Sequence, residues 1–212
     1  SNVKVTNKVT VNSGATYTAS ANNILNAVTN NGSLVFTGGT FNQQLTGTGT
    51  ISLLGDVLVK SGTTINQYFN TGDKWFKFEN ADDLLVSGNG RLQFFGGTVN
   101  VTTNTYTYFY NTVYIGSKAN VYNLITQGSA KVYTSADNFN FSETMAANTH
   151  LYLTGGTLRN TIGSSVGQGN GLVHITGNVK NTNNRIINSN LIIDEGGTFI
   201  SNFSPLAIQK TV

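Results

Sequence analysis

Cysteine is absent from this chain of 212 residues, and proline occurs once, at Pro205. The lack of cysteine excludes disulfides, thiol nucleophiles and thiolate metal ligands, and it agrees with an exported protein that is stabilised by other means. Proline has no N–H to donate and is confined to the edges of sheets, so its near absence removes the commonest obstacle to long ladders of paired strands.

Charge is also scarce, because charged residues make up 10% of the chain against about 25% in an average domain. The formal charge of +3 comes from 12 basic and 9 acidic residues spread along the sequence. That density is too low for a cationic stripe along a phosphate backbone, so we expect no nucleic-acid partner. No apolar run is long enough to span a membrane, and we expect no membrane insertion. The sequence starts without an initiator Met or a signal peptide, which predicts a fragment or processed piece of a longer chain.

A short pattern of alternating strand residues, Gly-Gly, Thr and an apolar residue occurs four times. The copies span residues 34–41, 92–99, 151–158 and, more loosely, 192–199. The first two steps between copies are nearly equal, and the third is shorter by about a third. If these steps are three, three and two turns, each turn holds roughly 20 residues, the length of one coil of a β-solenoid. Weaker glycine corners are spaced 24 residues apart, which extends the predicted coil to about 20–24 residues.

Each repeat combines a short strand, whose alternate residues point inward, with a glycine corner that tolerates positive φ. One such unit cannot bury its apolar side alone, but a stack of units can. Strands of three to five residues with short corners favour a solenoid over a sandwich, which needs longer strands and hairpin turns. The sequence therefore predicts an all-β protein with a single solenoid domain over residues 1–212.

A more specific resemblance is present in residues 75–92. A strand that ends in Phe78-Glu79-Asn80 leads to a short strand, the corner Ser87-Gly88-Asn89-Gly90 and a further strand. This segment resembles the recurring unit of pectin-lyase-like right-handed parallel β-helices, a fold shared by polygalacturonases, pectate lyases and many bacteriophage tailspikes. The Gly-Gly-Thr corners also resemble the β-helical passenger domains of bacterial autotransporter adhesins. The resemblance implies a right-handed parallel β-helix, for which we expect 9 to 10 coils.

The acidic candidates are Asp56, Asp82 and Asp83. A glycosidase of this fold needs two or three carboxylates that converge on one face. Asp82 and Asp83 are adjacent, so in a regular strand they point to opposite faces and cannot form such a pair without a bulge. A pair from neighbouring coils, Asp56 with one of the other two, is one hypothesis, and solvated corner carboxylates are the other. The Asn-Thr-Asp, Gly-Asp-Asp and Gly-His motifs of polygalacturonases are absent, and we assign no catalytic residue.

His150 and His174 are separated by nearly one predicted coil length, so they could stack on each other. No carboxylate lies near them in the sequence. A structural or solvated role is therefore favoured over catalysis or metal binding. The sequence predicts no metal site and no cofactor.

The best candidates for a binding or interface role are aromatic: Trp75, Tyr106, Tyr108, Tyr110 and Tyr114. In a strand, tyrosines at alternate positions share one face, which we expect to be partly outward. Flat aromatic rings stack on sugar rings, while rows of Asn, Gln and Thr offer neutral hydrogen bonds. The alternative is that the aromatic residues form ladders inside the solenoid or at a subunit interface.

These features lead to three hypotheses. The first is a segment of a bacteriophage tail fibre or tailspike, a homotrimer that contacts cell-surface glycans. The second is a monomeric fragment of an autotransporter-type adhesin on the bacterial surface. The third is a polysaccharide-cleaving tailspike with carboxylates from different coils or chains. All three predict an extracellular location, on a virion tail appendage or on a bacterial cell surface.

Overall fold

The computed structural model describes residues 8–19, 27–41, 44–60, 65, 67–79, 81–84, 87–103, 106–139, 142–159, 161–162, 171–182, 185, 187 and 189–202. Within these ranges the side chains of 81–84, 87–89, 103, 106 and 142–144 are outside the description. Every regular element in the described ranges is a strand.

Twenty-four strands follow one another in the described part of the chain. The first twelve are β1 (Val9–Val11), β2 (Thr16–Ala19), β3 (Ala27–Asn30), β4 (Ser33–Phe36), β5 (Gly39–Phe41), β6 (Gln44–Thr46), β7 (Thr50–Leu53), β8 (Val57–Val59), β9 (Tyr68–Phe78), β10 (Ala81–Leu84), β11 (Ser87–Phe94) and β12 (Gly97–Val99). The others are β13 (Thr102–Thr103), β14 (Tyr106–Phe109), β15 (Thr112–Ile115), β16 (Asn123–Thr126), β17 (Lys131–Thr134), β18 (Ser142–Met145), β19 (His150–Leu153), β20 (Gly156–Thr157), β21 (Leu172–Ile175), β22 (Asn178–Asn181), β23 (Asn190–Ile193) and β24 (Thr198–Ser201).

The strands stack in parallel into a β-solenoid of about 8 turns, which confirms the predicted fold class with somewhat fewer turns than expected. The largest sheet has eleven strands, with the path β18-β16-β14-β11-β9-β7-β4-β2 and with β5, β8 and β13 paired beside it. A seven-stranded sheet has the order β10-β12-β15-β17-β19-β21-β23. Two three-stranded sheets, β1-β3-β6 and β20-β22-β24, complete the described part of the stack.

Most coils are shorter than the spacing of the glycine pattern predicts. Leu34 pairs with Ile51 on the next coil, and Leu92 pairs with Thr107. Both steps fall short of the predicted coil length. The coil that joins Leu151 to its partner Val173 is longer and does reach that length.

The recurring Gly-Gly-Thr pattern does not occupy one position in each turn. The strand of its first copy, at Leu34, aligns through Ile51 and Phe69 with the start of β11. The strand of the second copy, at Leu92, lies farther along the same β11, and that of the third copy lies in the seven-stranded sheet at Leu151. The pattern therefore marks the end of a strand at a corner, and several faces of the solenoid have such corners. The third and fourth copies do share one stack, since Tyr152 and Ile192 lie two turns apart.

The core is a column of aliphatic and phenylalanine side chains inside the solenoid. Phe78, Phe94 and Phe109 are paired in register on successive coils, and their rings stack at centroid distances of 5.0 and 5.6 Å. Each ring is essentially inaccessible to solvent, and burying one such side chain stabilises the fold by about 1.5–3 kcal/mol. Within each strand, the residues that alternate with the buried side chains point outward. These outward residues form the surfaces described next.

Candidate functional site

The first candidate site is formed by Trp75, Arg91 and Tyr108, which we call the Trp75 cluster. These residues lie in β9, β11 and β14, on three successive coils of the eleven-stranded sheet. Trp75 alternates with the buried Phe76 and therefore leaves the strand on the outer face. It pairs with Arg91 on the next coil, and Tyr108 pairs with Gln93 on that same coil. Parallel register, rather than closeness in sequence, brings the three side chains together.

The rings of Trp75 and Tyr108 contact each other edge to face, with centroids 5.0 Å apart and planes at 83°. Two strands that are separated by a third lie roughly 9–10 Å apart, so the indole must extend across the intervening coil to reach Tyr108. The guanidinium carbon of Arg91 lies 5.7 Å from the centroid of the Trp75 ring, within range of a cation–π interaction. The cluster is thus a continuous aromatic and cationic surface along the solenoid axis.

Arg91 is held in place by two hydrogen bonds to the preceding coil. Its backbone N–H donates to the Thr71 hydroxyl at 2.7 Å, and Nη1 donates to the carbonyl oxygen of Asp73 at 3.2 Å. The preceding residue, Gly90, has φ of +128°, and a Cβ at this position would overlap the Thr71 side chain. Glycine is therefore required for the close approach that directs Arg91 over Trp75.

Asp56, one of the predicted acidic candidates, anchors Trp75. Its Oδ1 accepts the backbone N–H of Trp75 at 2.9 Å, and its Oδ2 lies 3.0 Å from Nζ of Lys77. Burial raises the pKa of the Asp56 carboxyl, but the Trp75 N–H and Lys77 together outweigh burial and bring the pKa below its ordinary value of 3.8. A general acid of a glycosidase needs a raised pKa, so this carboxylate suits anchoring and hydrogen bonding instead.

The other predicted tyrosines do not form one stripe with this cluster. Tyr110 stacks on Phe95 at 4.7 Å, at the corner just beyond β14. Burial, followed by the nearby Tyr108, raises the pKa of the Tyr110 hydroxyl. Tyr114 lies in β15, on the seven-stranded sheet. Tyr106 starts β14, and its side chain lies outside the described residues.

Asp82 and Asp83 lie inside β10, where the register of pairing to β12 shifts between Ala81 and Leu84. Three steps along β10 correspond to two along β12, from Gly97 to Val99, so one extra residue is inserted at this point. The strand therefore has a bulge at the two aspartates. A bulge is what two adjacent side chains need to point to the same face of a strand. Their side chains lie outside the described part of the chain.

The second candidate surface is a stack of three rings on the outer face of the seven-stranded sheet, which we call the tyrosine ladder: Tyr114, Tyr133 and Tyr152. Successive centroids are 4.9 and 4.3 Å apart, with planes within 18° of each other. The faces of the rings therefore cover one another and the edges face solvent. Burial is the main cause that raises the pKa of Tyr152, and Tyr133 adds to it.

The ladder continues into three polar residues, of which the sequence placed only the two histidines together. His174 stacks on Tyr152 at 4.3 Å. Its Nε2 lies 2.9 Å from Nδ1 of His150, and its Nδ1 lies 3.1 Å from Oδ2 of Asp194. The two imidazole centroids are 5.2 Å apart, whereas those of Tyr152 and His174 are 4.3 Å apart. The imidazole distance is longer because the two histidine rings meet edge to edge through their nitrogens.

The contact of His150, His174 and Asp194 could have been predicted from the sequence. His150 and His174 are 24 residues apart, and Asp194 follows His174 by 20 residues, so both spacings match the predicted coil length. The expectation that the histidines lack a carboxylate is wrong, because Asp194 lies one further coil along the solenoid. Extending the histidine spacing by one more coil would have identified it.

Most described carboxylates are paired with a basic side chain, and four of the five pairs join residues about one coil apart. The pairs are Asp56 with Lys77, Asp73 with Lys74, Glu79 with Lys60, Asp137 with Arg159 and Asp194 with His174. Within the described ranges, no group of three or more His, Cys, Asp or Glu side chains is placed to hold a metal ion. The same ranges contain no helix of the length and apolarity that a membrane crossing requires.

Comparison with known proteins gives no relative for this chain: no protein-family model, curated protein or solved structure matches it significantly.

Proposed function

We propose that this chain is a rigid β-solenoid segment that binds cell-surface glycans through the Trp75 cluster. The observation that carries the proposal is the contact of Trp75, Arg91 and Tyr108 across three successive coils. Aromatic surfaces with a polar margin are suited to the apolar faces and ring hydroxyls of sugars. A cluster that extends along the axis matches an extended polysaccharide better than a compact ligand.

The charged groups around the indole add hydrogen-bonding capacity. Arg91 offers a planar set of donors, and it contacts a backbone carbonyl and the Trp75 ring. The Asp56–Lys77 pair lies beside Trp75 and supplies an acceptor and a donor. Sugar hydroxyls can use both kinds of group.

The parallel solenoid supports the kind of protein that we propose. A stack in which each coil contacts only its neighbours forms an extended rod, which suits a tail fibre or tailspike of a bacteriophage outside the cell. We include in this proposal the homotrimer expected from the sequence, with the tyrosine ladder as the surface along which copies pack. An autotransporter-type adhesin is the alternative, and it needs no such surface.

A polysaccharide-cleaving tailspike has less support. Asp56 has a lowered pKa and is committed to Trp75 and Lys77. Cleavage by the usual route requires a second carboxylate at a distance of about 5–10 Å, and most described carboxylates are paired with basic side chains.

The test uses the fact that Trp75 is the only tryptophan in the chain, so emission excited selectively at tryptophan, and not at the tyrosines, reports on this site alone. We would titrate the protein with purified bacterial capsular and lipopolysaccharide O-chain oligosaccharides and follow the emission of Trp75. Binding should shift or quench the emission saturably, and Arg91→Gln and Tyr108→Ala should each weaken it at least about tenfold if each loses a central contact of about 1.4 kcal/mol or more.

Tyr122→Ala is the matched control, because Tyr122 is 52% exposed and lies outside the cluster. It should bind as the wild type does. Saturable binding that is unchanged in Arg91→Gln and Tyr108→Ala would place the glycan elsewhere. The absence of any response across such a panel would count against glycan binding itself.

A further inference from the structure

The histidine pair on the seven-stranded sheet is a separate feature with its own chemistry. His150 and His174 are the only histidines in the chain, and their facing nitrogens are 2.9 Å apart. Three contacts fix His174: the Tyr152 ring stacks on one face, Asp194 holds Nδ1, and His150 meets Nε2. Its side chain is only 11% exposed.

Proton positions in this chain follow from the chemistry of the groups. An ionised Asp194 can only accept, so Nδ1 of His174 carries a hydrogen and donates it to the carboxylate. In the neutral imidazole, Nε2 of His174 is then a lone pair that faces Nδ1 of His150. A single hydrogen, donated by His150, occupies the space between the two rings.

We propose that His150 and His174 form a two-histidine site for a divalent transition-metal ion, which takes the place of this shared hydrogen. Nδ1 of His150 and Nε2 of His174 are the ligands. His150 moves its hydrogen from Nδ1 to Nε2 when the ion binds, so both ligands remain neutral and no net proton is released. Asp194 is not a ligand but orients His174 from the far side, as carboxylates commonly do for metal-bound histidines.

The exchange requires the two facing nitrogens to move apart. The two nitrogens face each other 2.9 Å apart. Zn–N bonds of about 2.0–2.1 Å at a tetrahedral angle need the nitrogens about 3.3 Å apart, so the His150 ring must turn away from His174 to admit the ion. Imidazole ligands suit Cu²⁺, Ni²⁺ and Zn²⁺ rather than Mg²⁺ or Ca²⁺. Water completes the coordination, since no third protein ligand is present among the described side chains.

One charge opposes the ion. Lys131 is the strand partner of His150, so its ammonium group lies on the neighbouring coil beside the proposed ligands. This positive charge repels a metal ion. Removing this positive charge should therefore strengthen metal binding.

The experiment uses the untagged chain, because a histidine tag would supply competing ligands. Zn²⁺ and Ni²⁺ are titrated near neutral pH by calorimetry, and the imidazole nitrogens are followed by NMR. We expect one ion per chain, with the resonances of both histidines changed and the His150 tautomer shifted towards Nε2–H. His150→Gln and His174→Gln should abolish binding, and Asp194→Asn should weaken it about 10–100-fold.

Lys131→Gln should raise the affinity, and Lys118→Gln is its matched control because Lys118 is an exposed lysine of the 116–119 turn, away from both histidines. Equal effects of the two lysine substitutions would mean a response to net charge and would contradict the site. So would metal binding that persists in both histidine variants, or histidine resonances of the wild type that do not change at millimolar Zn²⁺. The NMR titration of the wild type with Zn²⁺ needs no variant, so it tests the proposed site even if a substitution prevents folding.

Discussion

The carboxylate of Asp56 accepts the backbone N–H of Trp75 at 2.9 Å, across one coil of the solenoid. The same carboxylate binds Lys77, two residues farther along the strand of Trp75. One acidic side chain thus holds the outer face of β9 at two points, on either side of the buried Phe76. This arrangement links the ionisation of Asp56 to the position of the indole.

Stability should therefore depend on pH through Asp56. Its pKa is lower in the folded chain than the ordinary 3.8, so its contribution is complete above the ordinary value and is lost as the pH falls through the folded one. The carboxylate is 44% exposed, so we expect at most about 1 kcal/mol. Urea unfolding followed by Trp75 fluorescence, at neutral pH and at a pH below the ordinary pKa, should show a smaller loss of stability in Asp56→Asn than in the wild type.

The control for this effect is Asp73→Asn. The pKa of Asp73 is also lowered, first of all by its hydrogen bond to Lys74, but this pair lies between neighbours in sequence at an exposed position. It should change the pH dependence less than Asp56→Asn does. A larger effect at Asp73 would show that the link between β9 and the preceding coil is unimportant.

Gly90 should be the least replaceable residue next to the Trp75 cluster. In Gly90→Ala the new Cβ overlaps Thr71 at a φ of +128°, so either the strand moves or Arg91 loses its bond to the Thr71 hydroxyl. We expect a loss of more than about 1 kcal/mol and a change in the emission of Trp75. Gly72→Ala is a close control, because Gly72 also has positive φ but has open space around it. Equal losses would show that backbone strain alone matters.

The inner phenylalanine stack should be a main source of stability. Phe94 has no accessible surface and stacks between Phe78 and Phe109, so Phe94→Ala leaves a cavity in the middle of the stack. A loss of about 3–5 kcal/mol is expected in denaturant unfolding. Tyr122→Ala, at an exposed position, should cost less than about 0.5 kcal/mol. A loss at Phe94 as small as that would mean that the solenoid core collapses around the cavity.

The fold could be predicted because its causes are local. Alternation such as Phe76, Lys77 and Phe78 assigns each residue to the inside or the outside of a strand, and glycine corners separate the strands. The register could not be predicted in the same way. The glycine pattern occurs at corners of more than one face, so its spacing overestimated the coil length in most of the chain.

This error in coil length decided what could be predicted about the site. Trp75 and Tyr108 were both candidates, but their contact depends on two short coils, one from Trp75 to Arg91 and one from Gln93 to Tyr108. Coils of the predicted length would have separated them. The coil that joins the strands of His150 and His174 is longer, so there the predicted spacing did match, and only the carboxylate of Asp194 was missed.

The proposed trimer would depend on the tyrosine ladder. Its rings lie in register along the axis, and Tyr114 at one end is 49% exposed, so copies packed side by side would bury a continuous row of edges. We expect light scattering to give three times the mass of the chain, unchanged on dilution. Tyr114→Arg should dissociate this trimer because it would bury an unpaired charge, whereas Tyr68→Arg, on the other large sheet, should not. A monomer at all concentrations would contradict the trimer and favour the adhesin. In that case, face-to-face stacking within one chain is sufficient to account for the ladder.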